Sequence, residues 1–374
     1  MQVIFHNILP DILTVNEIAG NTYVINRLLD SCLNVNGINY YQKANYINTN
    51  SSDIVSMLYY NKQKLALHSQ EVIPNNVRDI IIYKLYYLSS DLANGDTAFI
   101  IPIVAHLKSG SSSSDENQRA AMTLALMAHL DSIGIADNYI FCGDFNLKTS
   151  SEQAFQNLIN YSNTAIRFVD PINQIGNWNN NSNFAAYHTQ STHTNNNGCA
   201  SSGGMDDRFD MIVVNGNIIN GSDHIQYIQG SYHAPGNDGL HFNSSIIAPP
   251  TNTSVSDSML NALYNMSDHL PVVLDLYIDK TLSVSELNNP FPYQIQYENP
   301  IRDQLNIIIT ASSQVRLSFE LFSTIGKLSY SNNPHLKNKQ EQFNIPVSQL
   351  NPGIYFLKIS DEQQHAKVLK LIKI

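Results

Sequence analysis

The chain has 374 residues, 43% of them hydrophobic and 14% charged, with a formal net charge of −10. This length exceeds the usual single domain and predicts two. The composition excludes a disordered chain, and no apolar run reaches the ~18 residues of a membrane helix. The start, Met1-Gln2-Val3-Ile4-Phe5-His6, lacks the basic opening and long apolar middle of a secretory leader. Cys32, Cys142 and Cys199 are far apart and form no CxxC, which argues against a disulfide framework or zinc site and for buried, inert thiols, with Cys142 inside a strand.

In chain order, residues 10–18 (PDILTVNEI) read as a strand ending on Glu17. Residues 77–88 and 97–107 are β-rich runs, the second ending with His106. Residues 113–133 are the clearest helix. Ser113 and Glu116 make a capping box, Met122, Leu126, Leu130 and Ile133 share one face, and Gly134 stops it. A short buried strand at 139–142 then runs into Gly143-Asp144-Phe145-Asn146. In extended chain, residues i and i+2 point to one side, so Asp144 and Asn146 are expected to project together. A helix follows near 152–159, and 177–204, rich in Asn, Ser, Thr and Gly, reads as long loops. Strands are expected at 209–214, opened by Asp210, and at 271–278, just after Asp268-His269.

Patterning shifts at 283–292 (SVSELNNPFP), read as a linker between domains at 1–282 and 293–374. Beyond it, strands at 304–309, 315–322, 354–359 and 367–374, separated by turns such as 324–327, suit a small all-β sandwich. Charge divides along the same line. Residues 1–289 carry 12 Lys/Arg against 25 Asp/Glu, net −13, and residues 290–374 carry 9 against 6, net +3. So acidic a surface repels polyanions, and no basic stripe offsets it. A phosphate-ester substrate would need local cations, for which a metal is the natural candidate.

Five strand ends thus offer a carboxylate or an imidazole: Glu17, His106, Asp144 with Asn146, Asp210, and Asp268 with His269. Each alone is more often structural. His106 suits a satisfied core histidine, Asp210 a strand-end cap, and GDFN a polar turn. A sheet that gathers these ends would collect them in one cleft, able to bind a hard divalent ion and a phosphate oxygen. Two further stretches are weaker. In 187–193 (YHTQSTH) and Asp206-Asp207-Arg208, His188 or Arg208 could touch phosphate. The blander alternative is a surface hairpin with Asp207 and Arg208 as a local ion pair. The turn-rich loop 232–239 is a minor candidate for structural Ca²⁺, although no loop template fits it.

Taken in order, PDILTVNEI, AHLKSG, GDFN, RFDMIVV and SDHLPV resemble the endonuclease/exonuclease/phosphatase superfamily, the family of pancreatic deoxyribonuclease. The resemblance spans residues 10–275 and implies a four-layer α/β sandwich, two packed β-sheets flanked by helices. It implies metal ligation by Glu17 and Asp268 and positioning of water and phosphate by Asp144 and Asn146. It further implies a phosphate contact from His269, oriented by Asp210, and a second catalytic histidine, His106. The metal implied is Mg²⁺ or Mn²⁺. Family members usually carry an Asn on a strand before the Glu. Here only about one helix precedes Glu17, so a truncated N-terminus is the expectation, which would account for the missing leader too. Asn16 also stands where the family often has Gln.

The tail pieces 299–305, 320–327, 350–358 and 370–374 resemble the C-terminal sorting domain of type IX secretion in Bacteroidetes-like bacteria. The expectation is a secreted or surface-held monomeric phosphodiesterase, foremost an endonuclease of extracellular nucleic acid, recognised for export through its tail. The alternatives are a phospholipid or sphingomyelin phosphodiesterase and a binding module that has lost its metal site.

Overall fold

The runs rich in Ile, Val and Tyr become strands whose alternate residues enter different cores, the period-two signature of a sheet buried on both faces. A computed structural model describes residues 1–196, 201–280, 292–323, 328–363 and 365–374. They divide into two compact units, Met1–Ser283 and Val284–Ile374.

The first unit runs α1 (Gln2–Ile8), β1 (Ile12–Ala19), α2 (Thr22–Leu28), β2 (Tyr41–Lys43), β3 (Ile54–Asn61), β4 (Leu65–Ile73), β5 (Ile80–Tyr87) and β6 (Phe99–His106). It continues with α3 (Ser113–Ile133), β7 (Tyr139–Asp144), α4 (Gln153–Ile159), β8 (Phe168–Val169), β9 (Asp210–Asn215), α5 (Gly216–Asn220), β10 (Ile225–Tyr227), α6 (Asp257–Met266) and β11 (Leu276–Ile278). A six-stranded sheet has the order β4-β5-β6-β7-β9-β8. A second layer holds β1-β3-β2 and the pair β10-β11.

Along β7, Tyr139 and Phe141 pack toward α3 and α4, while Ile140 and Cys142 pack toward the second layer. Along β3, Leu58 and Tyr60 face the six-stranded sheet, while Met57 and Tyr59 face Ile25 and Leu28 of α2. The order is therefore helix, sheet, sheet, helix, the four-layer α/β sandwich expected.

Several details differ from the sequence reading. The capping box of α3 uses Ser112 and Asp115, one residue earlier than Ser113 and Glu116, because a run of serines offers adjacent caps. Met122, Leu126 and Leu130 are buried, but Ile133 is exposed beside the left-handed Gly134 cap. Glu17 lies inside β1, not at its end. The strand expected at 271–278 is regular only over Leu276–Ile278; upstream, His269 and Val273 form single bridges with Gln190 and His233.

The second unit has β12 (Gln294–Tyr297), β13 (Gln304–Thr310), β14 (Val315–Ser323), β15 (Leu328–Asn332), β16 (His335–Leu336), β17 (Gln340–Pro346), β18 (Gly353–Asp361) and β19 (Ala366–Lys373). Sheets β12-β13-β17 and β15-β14-β18-β19 pack Leu305, Ile307 and Ile309 against Phe319, Leu321, Leu357 and Leu371, the small sandwich expected. The turn 324–327 and the linker residues 283–291 lie outside the described residues.

Candidate active site

Strands β6 and β7 run parallel, so their C-terminal ends coincide and His106 sits in register with Asp144. Strand β9 runs antiparallel to β7 and starts where β7 stops, which sets Asp210 beside Asp144. One rim of the large sheet thus receives three polar side chains. From the other sheet, a bulge between Val15 and Ile18 turns Glu17 out of the β1 ladder. Its backbone is left-handed (φ 58°) and its side chain is 57% exposed. Glu17 Oε1 lies 3.6 Å from His106 Nδ1, and His106 Nε2 lies 3.3 Å from Asp144 Oδ2.

Gly143 makes this junction sterically feasible. Its φ is +140°, and an added Cβ would fall 1.9 Å from the Ala105 carbonyl and 2.9 Å from Asn16 Nδ2. Asp144 and Asn146 do not follow the simple extended alternation expected. Asn146 is left-handed (φ 52°), and its N–H donates to Asp144 Oδ1 at 2.9 Å, so a local turn joins the two. The Asn146 amide also approaches the Leu107 carbonyl at 3.4 Å.

The last member arrives on the segment after α6. His269 Nδ1 donates to Asp210 Oδ2 at 2.7 Å. Asp268 Oδ2 accepts from the Ser201 backbone N–H at 3.0 Å and from the Gln190 amide at 3.1 Å. Glu17, His106, Asp144, Asn146, Asp210, Asp268 and His269 are therefore brought together through a chain of contacts and register neighbours.

Burial drives His106 down to about 3, with the nearby Arg78 and His269 charges acting the same way. All three influences favour the neutral ring. Burial, then the Asp210 charge beside it, pushes Asp144 up to about 7. For His269, burial acts downward, but Asp210, Asp144 and Asp268 outweigh it and carry it to about 10.

His188 and Arg208 lie elsewhere, and neither expected role survives. Both are buried: the His188 ring nitrogens face the carbonyls of Met205 and Trp178 at 3.2 and 2.9 Å, leaving none for phosphate. Arg208 makes a two-pronged pair with Asp170 at 2.8 and 2.9 Å, not with Asp207, and stands over the Trp178 ring. In loop 232–239 two side-chain oxygens are engaged locally. Asp238 Oδ1 meets His241 Nδ1 at 2.8 Å, and Asn237 Oδ1 accepts from the Gly239 N–H at 2.7 Å. Cys142 is a free buried thiol that burial pushes up to about 11, while Cys199 lies outside the described residues.

Sequence reasoning missed three contributors. Arg78 reaches the carbonyls of His106 and Leu107 at 3.4 and 3.3 Å; burial lowers its basicity, and the charges of Glu17 and Asp144 offset part of that. Its signal was the need for a cation in so acidic a domain. The fully buried Arg119 binds Glu152 at 2.6 and 2.9 Å and the carbonyls of Lys108 and Gly110, while Glu152 accepts from the Lys148 N–H. It ties the loop after His106 to the loop after Asn146. Gln190 carried no signal, being one polar residue in a polar loop.

Residues 296–374 match the family described as a secretion system C-terminal sorting domain. No curated protein matches the sequence. Solved structures similar to the chain include the human Nocturnin catalytic domain with bound sulfate anion (16% identity, 73% of this chain and 83% of that one, TM-score 0.45). Others are TDP2 from C. elegans (16%, 74% and 68%, TM-score 0.44) and an endonuclease/exonuclease/phosphatase from Beutenbergia cavernae (12%, 99% and 93%, TM-score 0.40). At such identities and scores the chemistry has to rest on the chain's own geometry. A sorting domain implies secretion or attachment at the cell surface, and among the described residues no helix is long and apolar enough to cross a membrane.

Proposed function

We propose that the first unit is a metal-assisted phosphodiesterase, foremost an endonuclease acting on extracellular nucleic acid, exported through its sorting domain. The observation that carries this reading is the meeting of Glu17, His106, Asp144, Asp210 and His269 on one rim, linked by contacts of 2.7 to 3.6 Å and by strand register.

Asp144, raised to about 7, is matched to taking a proton from water near neutral pH. Asn146, fixed on Asp144, would orient that water. His269, kept cationic by Asp210, would face a phosphate oxygen, and Arg78 supplies a second positive charge. Buried His106 stands between the two carboxylates, 3.6 Å from Glu17 and 3.3 Å from Asp144.

A hard divalent cation such as Mg²⁺ or Mn²⁺ suits these donors. The exposed Glu17 carboxylate is open to it, and the crowding of Asp144, Asp210 and Glu17 is what a cation relieves. Among the described residues no preassembled group of three or more metal-binding side chains occurs, so coordination would be shared with substrate and water. Glu17, with Asp268, would hold the ion, which when bound neutralises charge developing on the phosphate.

The test is nicking of supercoiled plasmid by the full chain, with and without EDTA. Nicking that EDTA abolishes and Mg²⁺ restores supports the reading. Phosphocholine release from sphingomyelin without DNA cleavage would replace it with a lipid phosphodiesterase, and no hydrolysis of either with a binding module.

A further inference from the structure

A polar cavity of about 420 Å³ opens where β1 ends, and the chemistry proposed above does not use it. Gly20, Asn21, Tyr46, Asn48, Ser52 and Asp53 are among the residues that line it. Strand β1 carries Glu17 and reaches the cavity wall at Ala19. Three residues of extended chain span about 10 Å, which bounds the path from Glu17 to Gly20. Asn48 and Ser52 also line a narrow crevice that reaches Arg78. The cavity therefore adjoins the site on the side of Glu17 and Arg78.

Its wall is fixed by hydrogen bonds. The Tyr46 hydroxyl donates to the Gly20 carbonyl at 2.7 Å, and the Gly20 N–H to the Asp53 carbonyl at 2.7 Å. The Asn48 side chain closes the loop on itself, donating to the Ser52 carbonyl at 2.8 Å and accepting from the Ser52 N–H at 2.9 Å. The same loop is tied to the site. The Thr49 N–H donates to Asp79, the neighbour of Arg78, at 2.7 Å, and Ser56 Oγ donates to Asn16, the neighbour of Glu17, at 2.7 Å. Gly20 permits the close approach, since an added Cβ would fall 2.5 Å from the Ser52 carbonyl. Among the described residues the Asp53 carboxylate and the Ser52 hydroxyl have no partner, so both are open to a ligand.

The lining selects the ligand. It holds no Lys or Arg, so it does not suit a second phosphate. A quaternary ammonium such as choline has neither a donor nor an acceptor, and would leave the amides and hydroxyls of the wall unpaired. A nucleoside offers a flat face to an aromatic side chain and amino or hydroxyl donors to a carboxylate, here Tyr46 and Asp53. The volume lies in the range of small-molecule sites, roughly 300–1,000 Å³.

We propose that this cavity is the subsite for a nucleoside flanking the scissile phosphate, with Asp53 accepting a hydrogen bond from its base or sugar. The proposal rests on the phosphodiesterase reading, but one arm of its test does not. In that arm the intact, isotope-labelled chain is titrated with adenosine and, separately, with choline chloride, and the amide ¹H–¹⁵N resonances of Gly20, Asn21 and Ser52 are followed. Adenosine is expected to move them and choline to leave them in place. Ser52→Trp, which fills the cavity, should remove the response. In the kinetic arm, Ser52→Trp and Asp53→Ala should each lower kcat/KM for an oligonucleotide roughly tenfold, the scale of one hydrogen bond to a charged group. Hydrolysis of bis(para-nitrophenyl) phosphate, a diester without a nucleoside, should stay unchanged. If Ser52→Trp does not fold, Asp53→Ala decides both arms. Resonances unmoved by adenosine overturn the proposal, as do equal losses on the two esters or no loss on either. A response to choline alone overturns it too and gives the cavity to a lipid headgroup. A chain that hydrolyses neither ester counts against the phosphodiesterase reading instead, and the titration still decides whether the cavity takes a nucleoside.

Discussion

At the residue scale, Asp144 stands in register with Asp210, and burial together with that neighbour raises Asp144 to about 7, while Asp210 is hydrogen-bonded to His269. Asp144 has to be ionised to accept a proton. Hydrolysis should therefore rise with pH and then level off, with its midpoint at or below about 7, because a bound cation favours the ionised carboxylate; a pH profile of kcat/KM would report it, and activity that falls as pH rises through that range contradicts the role given to Asp144. Asp144→Ala and His269→Ala should each lower turnover by roughly two orders of magnitude or more, measured on nicked plasmid, with normal turnover in either contradicting the site. Cys142, raised to about 11, should resist alkylation at pH 8 in the folded chain and react once it is unfolded, followed by mass spectrometry. Much of the candidate site could be read from the letters taken together, because five strand ends each bearing a carboxylate or an imidazole are an improbable set of separate caps. Gln190 could not, since its meaning comes from a partner 79 positions away. His188 and Arg208 show the opposite error, as polar letters in a polar loop turned out to be interior scaffold.

At the element scale, the strands were legible because their alternation is strict: odd and even residues of β7 enter separate cores. Irregular places were not. The bulge at Glu17 and the turn at Asn146 both use left-handed backbone at a non-glycine residue, which no hydrophobic pattern announces. Helix α3 shows how an element serves the site at a distance, through the buried Arg119–Glu152 pair. Arg119→Met leaves Glu152 buried without its partner and should cost about 3–5 kcal/mol, read by urea unfolding. Replacing both, as Arg119→Met with Glu152→Leu, should cost less than that single change. A double variant worse than Arg119→Met would mean that the carbonyl contacts of Arg119, not its charge, hold the loops.

On the scale of the whole molecule, the charge division foreseen from the sequence coincides with two compact units, an acidic one bearing the site and a mildly basic sandwich matching the sorting family. Each unit has a core of its own, so residues 1–283 alone should unfold at the temperature of the corresponding transition in the full chain, followed by calorimetry. A clear drop in that temperature would mean the tail contributes to the stability of the first unit.

The ladder between β18 and β19 continues to Lys373, and Ile301 bridges to the same residue. The carboxyl end is thus woven into an outer strand instead of trailing free. Trimming the last four residues would remove Leu371 from the core and uncover Leu369, whereas extra residues appended after Ile374 would only lengthen an edge. Anyone purifying this protein by a handle at that end should find the handle harmless and clipping beneath it ruinous.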